Sequence, residues 1–268
     1  DLTDYDNCLK VTKNINMIIH LADIVSGINF VFENEPFVFR QNILINSNIL
    51  KASIQNQVAK ILYVGTACSY PAEKQAHLDP IPFVENDAYP ANPESSYGWS
   101  KLIGEYEIEL ASKYNLINSC ILRLHNVYGP PCEIDPLKSQ VIPALCRKIT
   151  ETKDNHITVW GSGDQRRSFI FIDDVIEGIL LALDKGFNEG VIQLGSKKSH
   201  SIKEIANYLV KISGKKLNIN FDLSQPEGDK DRTANYTKAK EILGWQPFTS
   251  FETGLEITYD WVKSYLNK

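Results

Sequence analysis

The sequence predicts an α/β fold: a doubly wound parallel sheet joined to a smaller C-terminal α/β part. Three observations predict it. Apolar runs too short for buried helices recur, helix-period stretches alternate with them, and the sequence after Pro130 is richer in loops. Residues 16–23 (N-M-I-I-H-L-A-D) form an apolar run ending in polar residues, as suits a buried parallel strand. A helical stretch follows from about Pro36 to Gln55. Residues 60–65 (K-I-L-Y-V-G) and 119–124 (S-C-I-L-R-L) read as further buried strands, with a helix from about Tyr97 to Tyr114 between them. The alternation continues through strand 168–172, a helix from Asp174 to about Leu183, strand 190–194, a helix opened by Ser201, and a last helix from about Ser250 to Leu266. Asp174 with Glu177, and Ser201 with Glu204, have the spacing of capping boxes. Such a sheet binds its ligands at the carboxyl ends of its strands.

Composition excludes several classes. The 268 residues are 43% hydrophobic and 23% charged, with a net charge of -5 and a pI near 5.6. That is ordinary globular composition, and the lack of a basic stripe argues against a nucleic-acid partner. No apolar run reaches membrane-spanning length, and the polar, acidic opening from Asp1 to Thr12 shows no signal peptide. Cys8, Cys68, Cys120, Cys132 and Cys146 are scattered without metal-like spacing, so they read as reduced thiols of a cytoplasmic protein. A doubly wound dinucleotide-binding fold opens with a strand, a Gly-rich turn and a helix, yet neither G-x-G-x-x-G nor G-x-x-G-x-x-G occurs. Either the fold never had the loop or roughly 40–60 residues precede Asp1. The rest of the chain favours the second reading, an N-terminal strand–Gly-loop–helix that is missing.

The residues with the most chemistry are Tyr97 and Lys101, in Y-G-W-S-K. Four residues apart, they share one helix face. An ammonium beside a phenol favours the phenolate and makes the Tyr a general acid/base. Thr66 ends the strand K-I-L-Y-V-G, where its hydroxyl can reach a substrate oxygen beside Tyr97. Cys68, two residues on, has two readings: a small buried filler or an ionisable group in the pocket.

Four runs together, G-T-A-C-S-Y-P, Y-G-W-S-K, L-R-L-H-N-V-Y-G-P and V-W-G-S-G-D-Q-R-R-S-F-I-F-I-D-D-V, resemble the NAD-dependent epimerase/dehydratase family, the extended short-chain dehydrogenases. Within it the chain is most similar to the GDP-mannose 3,5-epimerase and GDP-L-fucose synthase groups. The resemblance covers essentially the whole chain and implies a Rossmann-like fold. Residues 1–130 would then be the NAD(P)-binding domain, joined by strand 168–172 and helix 174–183, and residues 131–268 mainly the sugar-nucleotide-binding part.

The resemblance also implies roles. Thr66, Tyr97 and Lys101 match the family's catalytic triad, and Lys101 would also hold the nicotinamide ribose of NAD or NADP. Asp1 and Leu2 match a pair beside the adenine, Leu21 and Ala22 a strand end lining the pyrophosphate, and Asn42 a structural Asn near the triad. Cys68 matches an acid/base of epimerisation, which favours its catalytic reading. Asn126 matches a sugar-nucleotide contact. Arg147 or Lys148, with Arg167, match the cations that hold the diphosphate. Trp160 matches a residue near the nucleobase and Arg232 another nucleotide contact. The loop at residues 26–34 resembles a substrate loop, and the helices near 36–55 and 97–114 would pair with those of a second copy to make a homodimer.

One position departs from the pattern. The second acid/base, opposite Cys68, is here Gln140 in K-S-Q-V-I-P, and an amide cannot exchange a proton at physiological pH. Lys138 stands two residues away. Double epimerisation at carbons 3 and 5 is therefore not expected. The reading that follows is an enzyme on a GDP-linked hexose or heptose, with hydride transfer at carbon 4 and epimerisation at carbon 3 or 5 left open. The alternative is a non-catalytic sugar-nucleotide-binding homologue that lost the cofactor loop.

Overall fold

The computed structural model describes residues 1–78, 81–136, 138–225 and 230–267, without the side chains of Ile28 and Asn29. The elements run α1 (Tyr5–Thr12), β1 (Met17–His20), α2 (Ile28–Glu33), α3 (Glu35–Gln55), β2 (Lys60–Thr66), α4 (Ser96–Lys113), β3 (Asn118–Leu124) and β4 (Asn126–Tyr128). They continue as α5 (Val141–Glu151), β5 (His156–Trp160), β6 (Arg166–Arg167), β7 (Phe169–Phe171), α6 (Ile172–Lys185) and β8 (Val191–Leu194). The last are β9 (His200–Ser201), α7 (Ile202–Ser213), β10 (Asn218–Asp222), α8 (Thr237–Leu243) and α9 (Phe251–Leu266).

The apolar runs fold as the strands they predict. β1, β2, β3 and β8 form one parallel sheet in that order, with Met17 opposite Lys60, Lys60 opposite Asn118 and Ile121 opposite Val191. Alternate residues of β2 and β3 serve two cores. Ile61, Tyr63 and Ile121 pack with Ile49 and Leu50 of α3 and Ile108 of α4, while Leu62 and Leu122 pack with Val175 of α6, Leu243 of α8 and Trp245. Helices therefore cover both faces, which is why β2 and β3 are nearly continuously apolar. A third core joins α5, α7 and α9 to β5 and β7 around Ile149, Leu209 and Val262.

Helix ends follow their caps. Ser201 accepts from the Glu204 amide while the Glu204 carboxylate accepts from the Ser201 amide, the reciprocal box expected from S-I-K-E. The box expected at Asp174 does not form. α6 begins two residues earlier, at Ile172, and its N-cap Phe171 has no side-chain bond to give. Asp174 lies in the first turn and turns away to accept from the Phe248 and Thr249 amides and the Thr249 hydroxyl, which pins the loop before α9. The strand expected at 168–172 is shorter, and it pairs with β4 in a two-stranded sheet rather than with the four-stranded one. Much of the loop expected at 26–34 is the short helix α2.

Under the sheet's centre lies a charged pair. Arg123 of β3 donates from Nη2 and Nε to Glu105 of α4, at 2.5 and 3.2 Å, and both side chains are almost wholly buried. Arg123 Nη1 also reaches the Glu85 carbonyl at 2.8 Å. Removing one partner strands a buried charge, so Glu105→Gln should cost about 3–5 kcal/mol of stability. Urea unfolding of wild type and variant checks this; a loss below about 1 kcal/mol would put the pair outside the stabilising framework.

Candidate active site

The carboxyl end of β2 and the first turns of α4 build the centre. β2 ends at Thr66, and a tight 3-10 turn over Ala67–Ser69 follows, closed by the Thr66 hydroxyl accepting from the Cys68 amide at 3.2 Å. α4 starts at Ser96, capped by Ser95, whose hydroxyl accepts from the Gly98 amide at 3.2 Å. The two segments touch backbone to backbone: a Cβ on Gly98 would run into the Cys68 carbonyl. Nearly two turns on, a Cβ on Gly104 would collide with the Tyr63 hydroxyl. α4 thus lies flat on β2, with Tyr97 facing Thr66 and Cys68 and Lys101, one turn on, facing Asp23 and the Tyr63 ring.

The Thr66 hydroxyl lies near enough to the Tyr97 phenol to favour its ionised form, and Cys68 stands close enough to oppose it electrostatically. Asn42 of α3 braces this corner. Its amide accepts from the Ile24 N–H at 2.7 Å and donates to the Ile24 carbonyl at 3.1 Å and to Ser100 Oγ at 3.5 Å. Leu21 and Ala22, beyond the end of β1, are exposed, and residues 21–27 carry no helix or strand.

Burial pushes the Tyr97 phenol above its ordinary range, and the nearby Cys68 and Asp23 add to the rise. The Lys101 ammonium is ion-paired with Asp23, whose carboxylate also accepts from Asn46 Nδ2 at 3.5 Å. Burial drives Asp23 up and Lys101 down, and each partner opposes the other's shift. Asp23 follows H-L-A at the end of an apolar run. Nothing in a sequence marks such a carboxylate as buried, but a polar residue ending a parallel strand lies at the ligand-binding edge.

The substrate-side residues fall into two groups. Arg232 is buried and donates to the Ala67 carbonyl at 3.1 Å, to Gln75 Oε1 at 2.8 Å and to Asn126 Oδ1 at 3.4 Å. It therefore ties Asn126 of β4 to the turn that carries Cys68. Arg167, partly buried on β6, neighbours Ser168, whose amide donates to the Arg232 carbonyl at 2.9 Å. α5 and β5 hold the second group: Lys148 donates to the Thr158 carbonyl at 2.9 Å and lies 5.6 Å from the Trp160 ring centroid, and Arg147 pairs with Glu151 at 3.2 Å. Gln140 is the exposed N-cap residue of α5, without a capping bond from its side chain, and Lys138 is exposed too. The carbonyl of Lys138 accepts from the Gly27 amide at 3.2 Å, so this segment rests on the 26–27 loop. Asp1 accepts from Thr3, and the Leu2 carbonyl accepts from Asn48 of α3 at 3.2 Å.

A sequence profile of the NAD dependent epimerase/dehydratase family matches residues 1–195. The chain belongs to that family. It is 35% identical to GDP-mannose 3,5-epimerase of Arabidopsis thaliana over 271 residues, covering 100% of this chain and 70% of the relative. It is 30% identical to GDP-L-fucose synthase of Escherichia coli K12 over 236 residues, 82% of this chain and 72% of the relative. Its fold matches UDP-glucose 4-epimerase of Thermotoga maritima with a TM-score of 0.88 at 25% identity, over 99% of this chain and 84% of the other. The chain is thus an enzyme of an NAD(P)-dependent family. The residues present suit the nicotinamide–ribose end of that cofactor: a phenol and an ammonium stand on one helix face at the strand ends, beside the exposed Leu21 and Ala22.

Two histidines near the site have acid-sensitive burial. Burial lowers His20, beside Asn46, to about 4, and His125, beside Gln193, to about 3, from an ordinary 6.5. Both stay neutral in the fold while the unfolded chain takes up protons below 6.5. Their stabilisation is complete above that pH and is lost toward 4, by about 1.4 kcal/mol per pH unit for each. His20→Gln should flatten the fall in the urea midpoint between these pH values, and an unchanged slope would contradict the assignment.

Proposed function

We propose that the enzyme acts on a GDP-linked hexose or heptose, moving hydride at carbon 4 through its nicotinamide cofactor, and that it epimerises at most one neighbouring carbon. The observation that carries this is the close approach of α4 at Gly98 to the Cys68 carbonyl, which brings the Tyr97 phenol beside Thr66 and Cys68 at the carboxyl end of the sheet. Bound there, a nicotinamide dinucleotide supplies the hydride acceptor and donor. Tyr97 exchanges the proton of the carbon-4 oxygen, and Thr66 orients that oxygen and the phenol. Cys68, in the turn that follows β2, is partly exposed, so it can reach a carbon next to the transient ketone. Gln140 has no proton to exchange, and inversion with a base on each face needs two such groups.

Residues 1–130, with α6, would hold the cofactor, and residues 131–268 most of the nucleotide. Arg147, Lys148 and Arg167 would neutralise the diphosphate, Trp160 would stack on the base, and Asn126 and Arg232 would line the sugar side. The identities to GDP-sugar enzymes in two groups support the GDP moiety. The cytoplasm fits the unpaired cysteines.

Tyr97→Phe should lower turnover about 100-fold or more while leaving substrate affinity nearly unchanged. Steady-state kinetics with GDP-mannose and its 4-keto derivatives test this, and near wild-type turnover would remove Tyr97 from the chemistry.

A homodimer is part of the proposal. Trp99, Ile103, Tyr106 and Leu110 of α4 and its C-cap Tyr114 lie exposed at helical spacing, beside α3 with its exposed Phe37. Two such faces around a two-fold axis would bury each other. Sedimentation should give a dimer, and Ile103→Glu with Tyr106→Glu should give a folded monomer; a monomeric wild type would contradict it.

A further inference from the structure

The catalytic reading needs Lys101 to be a cation, yet the structure buries it almost completely. Only 5% of its side chain is exposed, and its ammonium sits 4.3 Å from the centroid of the Tyr63 ring. A lysine in that position loses its proton readily unless a counter-charge holds it. The counter-charge is Asp23, equally buried at 5%, on the chain just past β1. We propose that Asp23 is a positioning residue, whose carboxylate fixes the Lys101 ammonium at the sheet edge and keeps it a cation for proton transfer at Tyr97. This rests on the roles assigned above to Lys101 and Tyr97.

Three features support it. The pair joins the 21–27 segment after β1 to the second turn of α4, two elements that Asn42 also bridges through Ile24 and Ser100. Asp23 is itself oriented, because Asn46 of α3 donates to it at 3.5 Å while Asn46 Oδ1 is engaged by the His20 ring at 2.7 Å. The strand-end segment is fixed next door by Asn42, through both the N–H and the carbonyl of Ile24. The groups that face the pair are His20 from β1, Tyr63 from β2, and Tyr97 and Glu105 from α4, with Cys68 beside Tyr97. His20 is neutral above about 4, and Tyr63 is neutral because burial raises it far above its usual range. Glu105 is committed to Arg123. Asp23 is therefore the carboxylate in direct contact with the ammonium. The same charge adds to the rise of the Tyr97 phenol, so the site at rest holds a protonated Tyr97 beside a pinned lysine. A ligand hydroxyl that drew the ammonium from Asp23 toward the phenol would lower the barrier to proton exchange.

The test is an NMR titration of the chain labelled with 13Cε-lysine, with the Lys101 resonance assigned by its loss in Lys101→Arg. In wild type, the Lys101 resonance should step on the acid side, when Asp23 takes a proton, and again on the alkaline side, when Lys101 loses its own. Asp23→Asn should lower the Lys101 midpoint by about one pH unit or more, and Asp23→Glu should hold it near the wild-type value. In the holoenzyme, Asp23→Asn should lower kcat about tenfold or more, move the alkaline limb of the profile down with the Lys101 midpoint, and change KM for GDP-mannose less than about twofold. A Lys101 midpoint in Asp23→Asn equal to wild type would overturn the proposal. If Asp23→Asn does not fold, the wild-type acid step decides: its absence also overturns it. The titration needs no turnover, so its result stands apart from whether the enzyme acts on GDP-sugars.

Discussion

The site depends on one close contact, the N-terminal turn of α4 against the turn after β2. Gly98 allows the backbone of α4 to meet the Cys68 carbonyl with no side chain between them, and Gly104 repeats the approach against Tyr63. That contact sets the height at which Tyr97 faces Thr66 and directs Lys101 toward the end of β1. A residue with a Cβ at Gly98 would lift the helix off the strand and part the phenol from the threonine hydroxyl. Ser95 and Ser69 strengthen the seam, the first by capping α4 and the second by donating to the Gly98 carbonyl at 3.5 Å.

Around this seam the charges are arranged by burial. Arg123 and Glu105 neutralise each other beneath the sheet, and Asp23 and Lys101 do so at its edge. The first pair ties α4 to β3 and the second ties α4 to the chain after β1, so α4 is held by an ion pair on each side. Buried pairs of this kind contribute more to fixing one arrangement than to net stability. Arg232 extends the order to the substrate side, joining the Ala67 carbonyl, Gln75 and Asn126 across three segments of chain.

Much of this was legible in the sequence, for physical reasons. The runs K-I-L-Y-V-G and S-C-I-L-R-L are apolar because helices cover both their faces, and S-I-K-E announces the start of α7 through local hydrogen bonds alone. Tyr97 and Lys101 could be placed on one helix face from spacing alone. What spacing could not give was the partner of each charge. Asp174 has cap spacing yet serves the loop at Phe248 and Thr249, and Lys101, placed by spacing on the face of Tyr97, takes Asp23 as its counter-charge. Both outcomes turn on contacts between residues more than seventy positions apart, which no local pattern encodes. The family was legible because four separate runs matched at once, and Gln140 stood out against that pattern.

The central claim is that this edge carries a proton-transferring phenol and one thiol, with no second base at Gln140. The measurement that tests it most directly is deuterium uptake, followed by NMR, when the enzyme turns over GDP-mannose or its 4-keto derivative with its nicotinamide cofactor in deuterated water. The account predicts uptake at one carbon at most beside carbon 4, abolished by Cys68→Ser. Rapid uptake at both carbon 3 and carbon 5 would contradict it and would mean that another group, with Lys138 the nearest in sequence, supplies the second proton.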